Sequence, residues 1–473
     1  MKKILLPVVI ILAIVLIPPA ITGSKAEKEL NSLTDLISSN PGYSATWENY
    51  NKGWFSTNAT LTISFDTAYF DPESSQVIDI PLTFNAKHGL FLFSDTQTLG
   101  LFSYELGLRE EQSSTLEGIL DFDKNQAFYT STGAMDLTGN LTLNDKISAF
   151  SVSEESNELS FSGYTGSGTY SSSQVLDYEA IIGQFSFSGK EDEIIKVSES
   201  SLKMSADYGQ SIAKNLAPST ASFNTDEIVI ETNDGNGKFN DLAVLAELVI
   251  ADDKKSFDMD FDISLANGVT GEESFEDLKF VFGYDNITTA FYEAYLGALE
   301  NVDSFEDPAQ LFTPEVLDEA LSKGMGISAD QLSVTLPKGK MSSSFNFSIP
   351  PQSNLTGETV LQNPLLLTQA VLVNVNISMD QPLAAQIARS QMEQTINQQL
   401  ELQRAAGQEV TLTDAELDQL IDQSVDTTLA TLIQQGFLIE NNNLYESVMS
   451  FQNGQATING VEIPLEALLQ GAL

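Results

Sequence analysis

The chain has 473 residues and carries 66 acidic side chains against 22 basic ones, a net charge of −44. Binding phosphate needs clustered cations, so this balance argues against nucleic acid as a partner and against an electrostatic hold on anionic lipid headgroups. With 42% hydrophobic and 9% aromatic residues the chain can bury a large core, and having no cysteine it has no disulfides, thiolate metal sites or cysteine nucleophiles.

Met1-Lys2-Lys3 is followed by the uncharged run ILLPVVIILAIVLIPPAIT, residues 4–22. At about 1.5 Å per residue it spans roughly 28 Å, the thickness of a bilayer's hydrocarbon core. Two readings compete. Ser24-Lys25-Ala26 suits a signal peptidase, whereas the length of the run exceeds the usual apolar part of a removable signal and favours a retained anchor. In both, Lys2 and Lys3 stay on the cytoplasmic side and the remainder crosses the membrane. Residues 1–26 are therefore expected to be an anchor or signal segment at the inner membrane, with the body in the periplasm.

Leu30, Leu33, Leu36 and Ile37 share a helical face before Asn40-Pro41-Gly42, which predicts a stalk helix within 27–42. From 43 to about 285 short alternating runs dominate. In 58–65, Ala59, Leu61, Ile63 and Phe65 face one way, and Asn58, Thr60, Thr62 and Ser64 the other. The same period appears in LTLN (141–144), LSFSG (159–163), FSFSG (185–189), DEIVIE (226–231) and FDMDFDISL (257–265). One apolar and one polar face is the pattern of an antiparallel sheet with a wet side. LSFSG and FSFSG recur 26 residues apart, a weak repeat with the length of one up-and-down strand pair.

Helical texture enters at 287–302. It returns at Thr313-Pro314, where threonine caps and proline takes the first turn, and that helix ends at Gly324. Strands resume in QLSVTLP, SSFNFSI and AVLVNVNISM. A helical hairpin is then predicted over 382–436, its second helix opened by the capping box Thr413-Asp414-Ala415-Glu416. No long Gly/Ser or Pro linker interrupts 43–473. The expected fold is mainly β with helical insertions (α+β): an N-terminal transmembrane helix, then one elongated body built on a large, curved, mostly antiparallel sheet.

Catalytic signatures are sparse. His88 is the only histidine, which excludes zincin and multi-histidine metal motifs, and no nucleophile elbow, P-loop or dinucleotide fingerprint occurs. The S-x-x-K matches at Ser200 and Ser211 lack an accompanying K-T-G. The run 231–237 fails calcium-loop spacing and reads as a hairpin turn. No catalytic residue, cofactor or metal is assigned, and a non-enzyme is expected.

Three patches together resemble the YdgA-like family of bacterial envelope proteins, a membrane segment followed by a periplasmic body of unknown function. They are Tyr50-Asn51-Lys52-Gly53-Trp54-Phe55-Ser56, His88-Gly89-Leu90-Phe91, and the closing stretch Phe451–Gly460 with Gly454, Asn459 and Gly460. Lys87 and Leu90 stand where the family has aspartate and proline, which weakens any pairing of the histidine with a neighbouring acid. The resemblance implies no reaction or cofactor, only an association with surface motility. Tyr50, Trp54 and Phe55 read as an aromatic plug on the apolar face that begins at Ala59, or alternatively as a contact for lipid or a partner. The expected function is a membrane-anchored protein holding lipid or another apolar ligand in a curved β groove. The alternative is an envelope scaffold that docks a partner, or a second copy in a homo-oligomer, along Ile387, Met392 and Ile396. A hydrolase would need carboxylates brought together in a cleft.

Overall fold

Alternation of apolar and polar residues carries through into a mostly β chain. In the computed structural model 25 described strands join one large, open antiparallel sheet, with few helices. The structure describes residues 42–464, the longest exceptions being 70–76, 93–98, 109–115, 300–312 and 406–412, together with Thr34, Ile37 and Ser38. Among the described residues no helix is long and apolar enough to cross a membrane; the expected anchor at 4–22 lies outside them. Contacts divide the chain into two compact units, 1–245 with 269–271, and 246–268 with 272–473. The divide falls inside strands, which is why no linker composition marks it.

Unit 1 opens with β1 (Tyr43–Lys52), β2 (Ser56–Asp66), β3 (Val77–His88) and β4 (Phe102–Leu108). In β2 the inward Ala59, Leu61, Ile63 and Phe65 are buried, and Leu61 faces Leu82 across the ladder. Ile37 joins this core, and Ser38 Oγ accepts the Ala45 amide at 3.0 Å, so the end of the expected stalk is tied to the body.

Then follow β5 (Asp121–Phe122), β6 (Tyr129–Met135), β7 (Leu141–Ile147), β8 (Phe150–Glu154), β9 (Asn157–Phe161), β10 (Tyr164–Tyr170), β11 (Val175–Ile182) and β12 (Phe185–Ser188). They lead to β13 (Ile194–Val197), β14 (Ser200–Asp207), β15 (Ser219–Thr232) and β16 (Gly235–Ile250). Two residues separate β7 from β8, β9 from β10, β11 from β12 and β13 from β14, and at each break the chain changes partners. One half pairs in the row β6-β7-β10-β11-β14, the other in β5-β8-β9-β12-β13, and β15 receives both rows. Such bends let a strand serve two packed layers. Close backbone approach makes the bend: a Cβ on Gly183 would lie 2.6 Å from the Gly163 carbonyl oxygen, and Gly163 sits at φ +104°. Ser198 seals the last break, its Oγ accepting from the Glu227 amide at 2.9 Å. The repeated LSFSG and FSFSG pair with each other, Phe161 opposite Phe185 and Leu159 opposite Phe187. Both rows feed one buried cluster, in which the rings of Phe122, Phe128, Phe150 and Phe161 follow one another at 5.0, 5.7 and 5.4 Å.

Unit 2 contains β17 (Ser256–Thr270), whose end counts with unit 1, then β18 (Glu273–Thr288), β19 (Met325–Leu336), β20 (Gly339–Ile349) and β21 (Leu372–Asp380). It closes with β22 (Ile439–Asn441), β23 (Leu444–Gln452), β24 (Gln455–Ile458) and β25 (Val461–Ile463). Its helices are α1 (Thr289–Leu299), α2 (Pro314–Lys323), α3 (Gly357–Gln362), α4 (Gln381–Ala405) and α5 (Asp414–Gln434). Thr313 caps α2, and the Thr413/Glu416 box caps α5, its hydrogen bonds holding the Glu416 carboxyl below the usual range. The pattern reading had no counterpart for α3, a short helix started by a Thr356/Thr359 box without the usual Glu or Gln. Arg389 of α4 forms ion pairs with Asp418, at 2.7 Å, and Asp422 of α5. These join the two helices.

Candidate functional site

In unit 2 the register sets four rows of side chains across one side of the sheet. They are Tyr284-Ile327-Phe347-Val373-Phe451, then Ala329-Phe345-Val375-Met449, Leu332-Ser343-Ile377-Ser447, and Val334-Met341-Met379-Tyr445. None of these positions carries a charge. Bulges in β18 and β19 keep the faces in step where the strands differ in length. Phe282 stacks between Phe261 at 4.7 Å and Phe280 at 4.8 Å, extending the apolar surface into β17. The opposite side holds Ser342, Ser344, Asn374 and Asn376, with an Asn376–Ser344 hydrogen bond of 3.1 Å.

A sheet with one apolar side is expected to cover it. Here Tyr284, Ile327, Phe345 and Ile377 remain 36–43% exposed. Exposed apolar patches of this kind mark sites of interaction. At one border α4 and α5 roof the face and leave a cavity of about 220 Å³ lined by Ile377, Met379, Ile387, Met392, Leu429 and Tyr445, among others. Of the expected outward stripe, Ile387 is 37% exposed and Met392 and Ile396 are half-buried; Ile387 and Met392 also line this cavity.

Carboxylates gather on the polar side. Burial raises the Asp285 pKa, helped by the charges of Asp258, Asp260 and Asp330. Asp258 accepts the Asn286 amide at 2.7 Å. Among the described residues no group of acids or histidine is arranged to hold a metal ion.

Unit 1 holds a different polar feature. Asp145 of β7 lies across from Ser131 and Gly166 on the inward side and is only 3% exposed. Tyr178 donates to its Oδ2 at 3.0 Å, the Tyr164 and Tyr178 hydroxyls bond to each other, and Tyr104 meets Ser131 at 3.3 Å. The Asp145 Oδ1 and the Tyr129 hydroxyl are buried without a hydrogen-bond partner among the described residues. Burial pushes Asp145 up to about 6 against the nearby Ser131 hydroxyl and the Tyr178 hydrogen bond, and Tyr164 up to about 12. A carboxyl poised near 6 suits proton transfer, but substrate reaches it only if the sheet opens. On the outward side of β7, β10, β11, β14 and β15 runs a shallow trough of mixed lining, about 750 Å³, with Asn144, Asp177, Glu179, Lys203 and the exposed Leu245 among its residues. It is larger than the cavity of unit 2.

The patches singled out by sequence are spread apart. Tyr50 lies with Asn49 (φ 51°) in a bulge of β1, between Glu48 and Asn51, and is 37% exposed, while Gly53, Trp54 and Phe55 lie outside the described residues. The bulge interrupts the alternation; before it, Trp47 packs on the core, edge-on to Phe84 at 5.4 Å. His88 ends β3 opposite Phe102, and Gly89 lies outside the described residues. Asn453-Gly454 and Asn459-Gly460 each form a two-residue hairpin loop with both residues at positive φ, as type I′ turns require. Asn459 also ties the hairpin down: its Oδ1 accepts the Val448 amide at 2.8 Å and its Nδ2 donates to the Gly436 carbonyl, past the end of α5, at 2.9 Å. Asn459→Ala is expected to cost about 2 kcal/mol in denaturant unfolding, from two lost hydrogen bonds and a left-handed backbone that alanine disfavours. Asn459→Asp keeps the acceptor and tolerates the left-handed backbone, so it should cost less; equal losses would put the effect in the Nδ2 bond to Gly436, which both variants lack.

Asp145 was the residue pattern reading missed. Its signal lay in LTLNDKI, where Leu141, Leu143, Asp145 and Ile147 share a parity, an acid on the apolar side of a strand.

No match to the chain is found among curated proteins or among solved structures. A family described as a bacterial protein of unknown function, DUF945, matches residues 1–466. The chain belongs to that bacterial family, DUF945.

Proposed function

We propose that this protein is a non-enzymatic, YdgA-like envelope protein, anchored in the inner membrane by residues 4–22 with its body in the periplasm. In this reading unit 2 holds the apolar part of a lipid on its uncharged face. The observation that carries the reading is that face itself: four cross-strand rows without a charged residue, with Tyr284, Ile327, Phe345 and Ile377 more than a third exposed. Burying such surface is worth about 25 cal/mol per Å², so an occupant gains free energy by covering it. Lipid is favoured over a charged peptide because the face offers no ion-pair partner.

The span from β18 to β23 covers five strands, a contour of roughly 19 Å at about 4.8 Å per step, which suits an extended acyl chain. The α4/α5 pair walls one end. Docking of a protein partner on that pair would use Ile387, which is 37% exposed, but it has fewer exposed apolar positions than the face, since Met392 and Ile396 are half-buried.

Mass spectrometry of lipids extracted from the detergent-solubilised chain tests the reading. A stoichiometric lipid is expected, and Phe345→Asp, which puts a charge at the centre of the face, should lower its occupancy at least tenfold while the chain stays folded by circular dichroism. Lipid-free protein, or unchanged occupancy in Phe345→Asp, would overturn it.

A further inference from the structure

The exposed apolar positions of unit 2 fall on a path. Tyr284, Ile327, Phe345 and Ile377 stand one on each of β18 to β21, directly or diagonally across from one another, and each is more than a third exposed. The path ends at Ile377, which is also a wall of the cavity under α4 and α5, so face and cavity are continuous there.

Side-chain size shapes that cavity. Ile377, Met379 and Tyr445 of β21 and β23 make its floor. Ala384 and Ala388, one turn apart on the same side of α4, and Leu429 of α5 contribute to its roof. No charged residue lines it. Its volume of about 220 Å³ is below the roughly 300–1,000 Å³ of pockets that take drug-sized ligands. Apolar space on this scale takes a small hydrocarbon group: an engineered cavity of about 150 Å³ stays dry and binds benzene.

We propose that this cavity is the end stop of the lipid site: it takes the methyl end of an acyl chain lying along the path from Tyr284 to Ile377, and the protein thereby selects its lipid by chain length. This rests on the apolar-ligand reading above. An acyl chain short enough to end inside is covered to its tip. A longer one leaves its last methylenes in water or folded back, and each methylene left so costs roughly fourfold in affinity. Occupancy therefore holds up to a limiting length and then falls by about tenfold or more for every two further carbons.

The test incubates the full-length protein, in a nonionic detergent, with an equimolar series of phosphatidylethanolamines bearing lauroyl, myristoyl, palmitoyl, stearoyl or arachidoyl chains. The protein is re-isolated and its bound lipid quantified by mass spectrometry. A sharp upper limit of length is expected within the series. Ala388→Leu narrows the cavity from α4 and should lower the limit by one member of the series, cutting the longest lipid accepted before by about tenfold. Leu429→Ala widens the cavity from α5 and should raise the limit by one member. Opposite shifts from the two helices are not what a loss of stability produces, and either variant suffices if the other fails to fold by circular dichroism. Phe345→Asp, out on the face, should lower all lengths together and leave the limit where it was. A flat length profile, or a limit that a folded cavity variant does not move, would overturn the end stop and leave the apolar-ligand reading standing. Absence of lipid of every length, whether detergent or a second copy of the protein covers the face instead, would overturn both.

Discussion

Asp145→Asn is expected to stabilise unit 1 by about 3 kcal/mol above pH 6 and to leave it nearly unchanged below pH 4. The folded chain holds the Asp145 proton up to about pH 6, against 3.8 for an ordinary aspartate. Between those values the folded state binds more protons than the unfolded state, so stability falls as pH rises and levels off above the folded value. Two pH units at about 1.4 kcal/mol each give the magnitude. The cause is desolvation: the carboxylate sits among phenols and the Ser131 hydroxyl at 3% exposure. Asparagine removes the ionisation and brings an amide donor to a place where the Tyr129 hydroxyl lacks a partner. Urea unfolding of the full chain, followed by tryptophan fluorescence at a series of pH values, checks this, since Trp47 and Trp54 both belong to unit 1. A difference between variant and parent that stays flat with pH would rule out Asp145 as the source.

Gly166→Ala is expected to destabilise the same unit by about 3 kcal/mol or more, from overpacking at a site that cannot relax. An added Cβ would stand 1.9 Å from the Tyr178 hydroxyl oxygen and 2.8 Å from that of Tyr164. The Tyr178 ring cannot simply retreat: it crosses Gly168 as well, where a Cβ would lie 2.7 Å from the ring, and it is held by its bond to Asp145. Tyr178→Phe in the same chain should recover only part of the loss, because the ring carbon at 2.6 Å remains. Thr165→Ala, on the outward side of the same strand, should stay within about 0.5 kcal/mol. The comparison is made by denaturant midpoint. A loss below about 1 kcal/mol for Gly166→Ala would mean that the tyrosines are free to move.

These two residues also mark how far pattern reading reaches. The run YTGSGTY, 164–170, sets Gly166 and Gly168 between Tyr164 and Tyr170 on the inward side, which suggests space for a neighbour's side chain, but nothing in it names Tyr178 as that neighbour. In the same way FDMDFDISL separates its apolar and acidic sides by eye. That Asp258, Asp260, Asp285 and Asp330 then collect on one surface depends on three strands drawn from residues 256 to 336. Helix ends were legible because capping is local: Thr313, Thr413 and Glu416 act on amides within three residues. Tyr50 falls inside the β1 bulge between Glu48 and Asn51 and stays 37% exposed, and an extra residue of that kind is not visible in the alternation of apolar and polar letters.

By itself, then, the order of residues determined the β class, the side each alternating residue occupies, the helical hairpin near the C-terminus and the Asn-Gly turns of the last strands. Each follows from chemistry acting over a few bonds. Only the tertiary structure decided that β7 to β14 bend between two rows, that Asp145 is sealed among tyrosines, and that an uncharged face in unit 2 stays partly open beside a small roofed cavity. Those outcomes depend on which distant strands become neighbours, and backbone pairing is much the same whatever the partner, so the selection rests on side-chain fit across tens of residues.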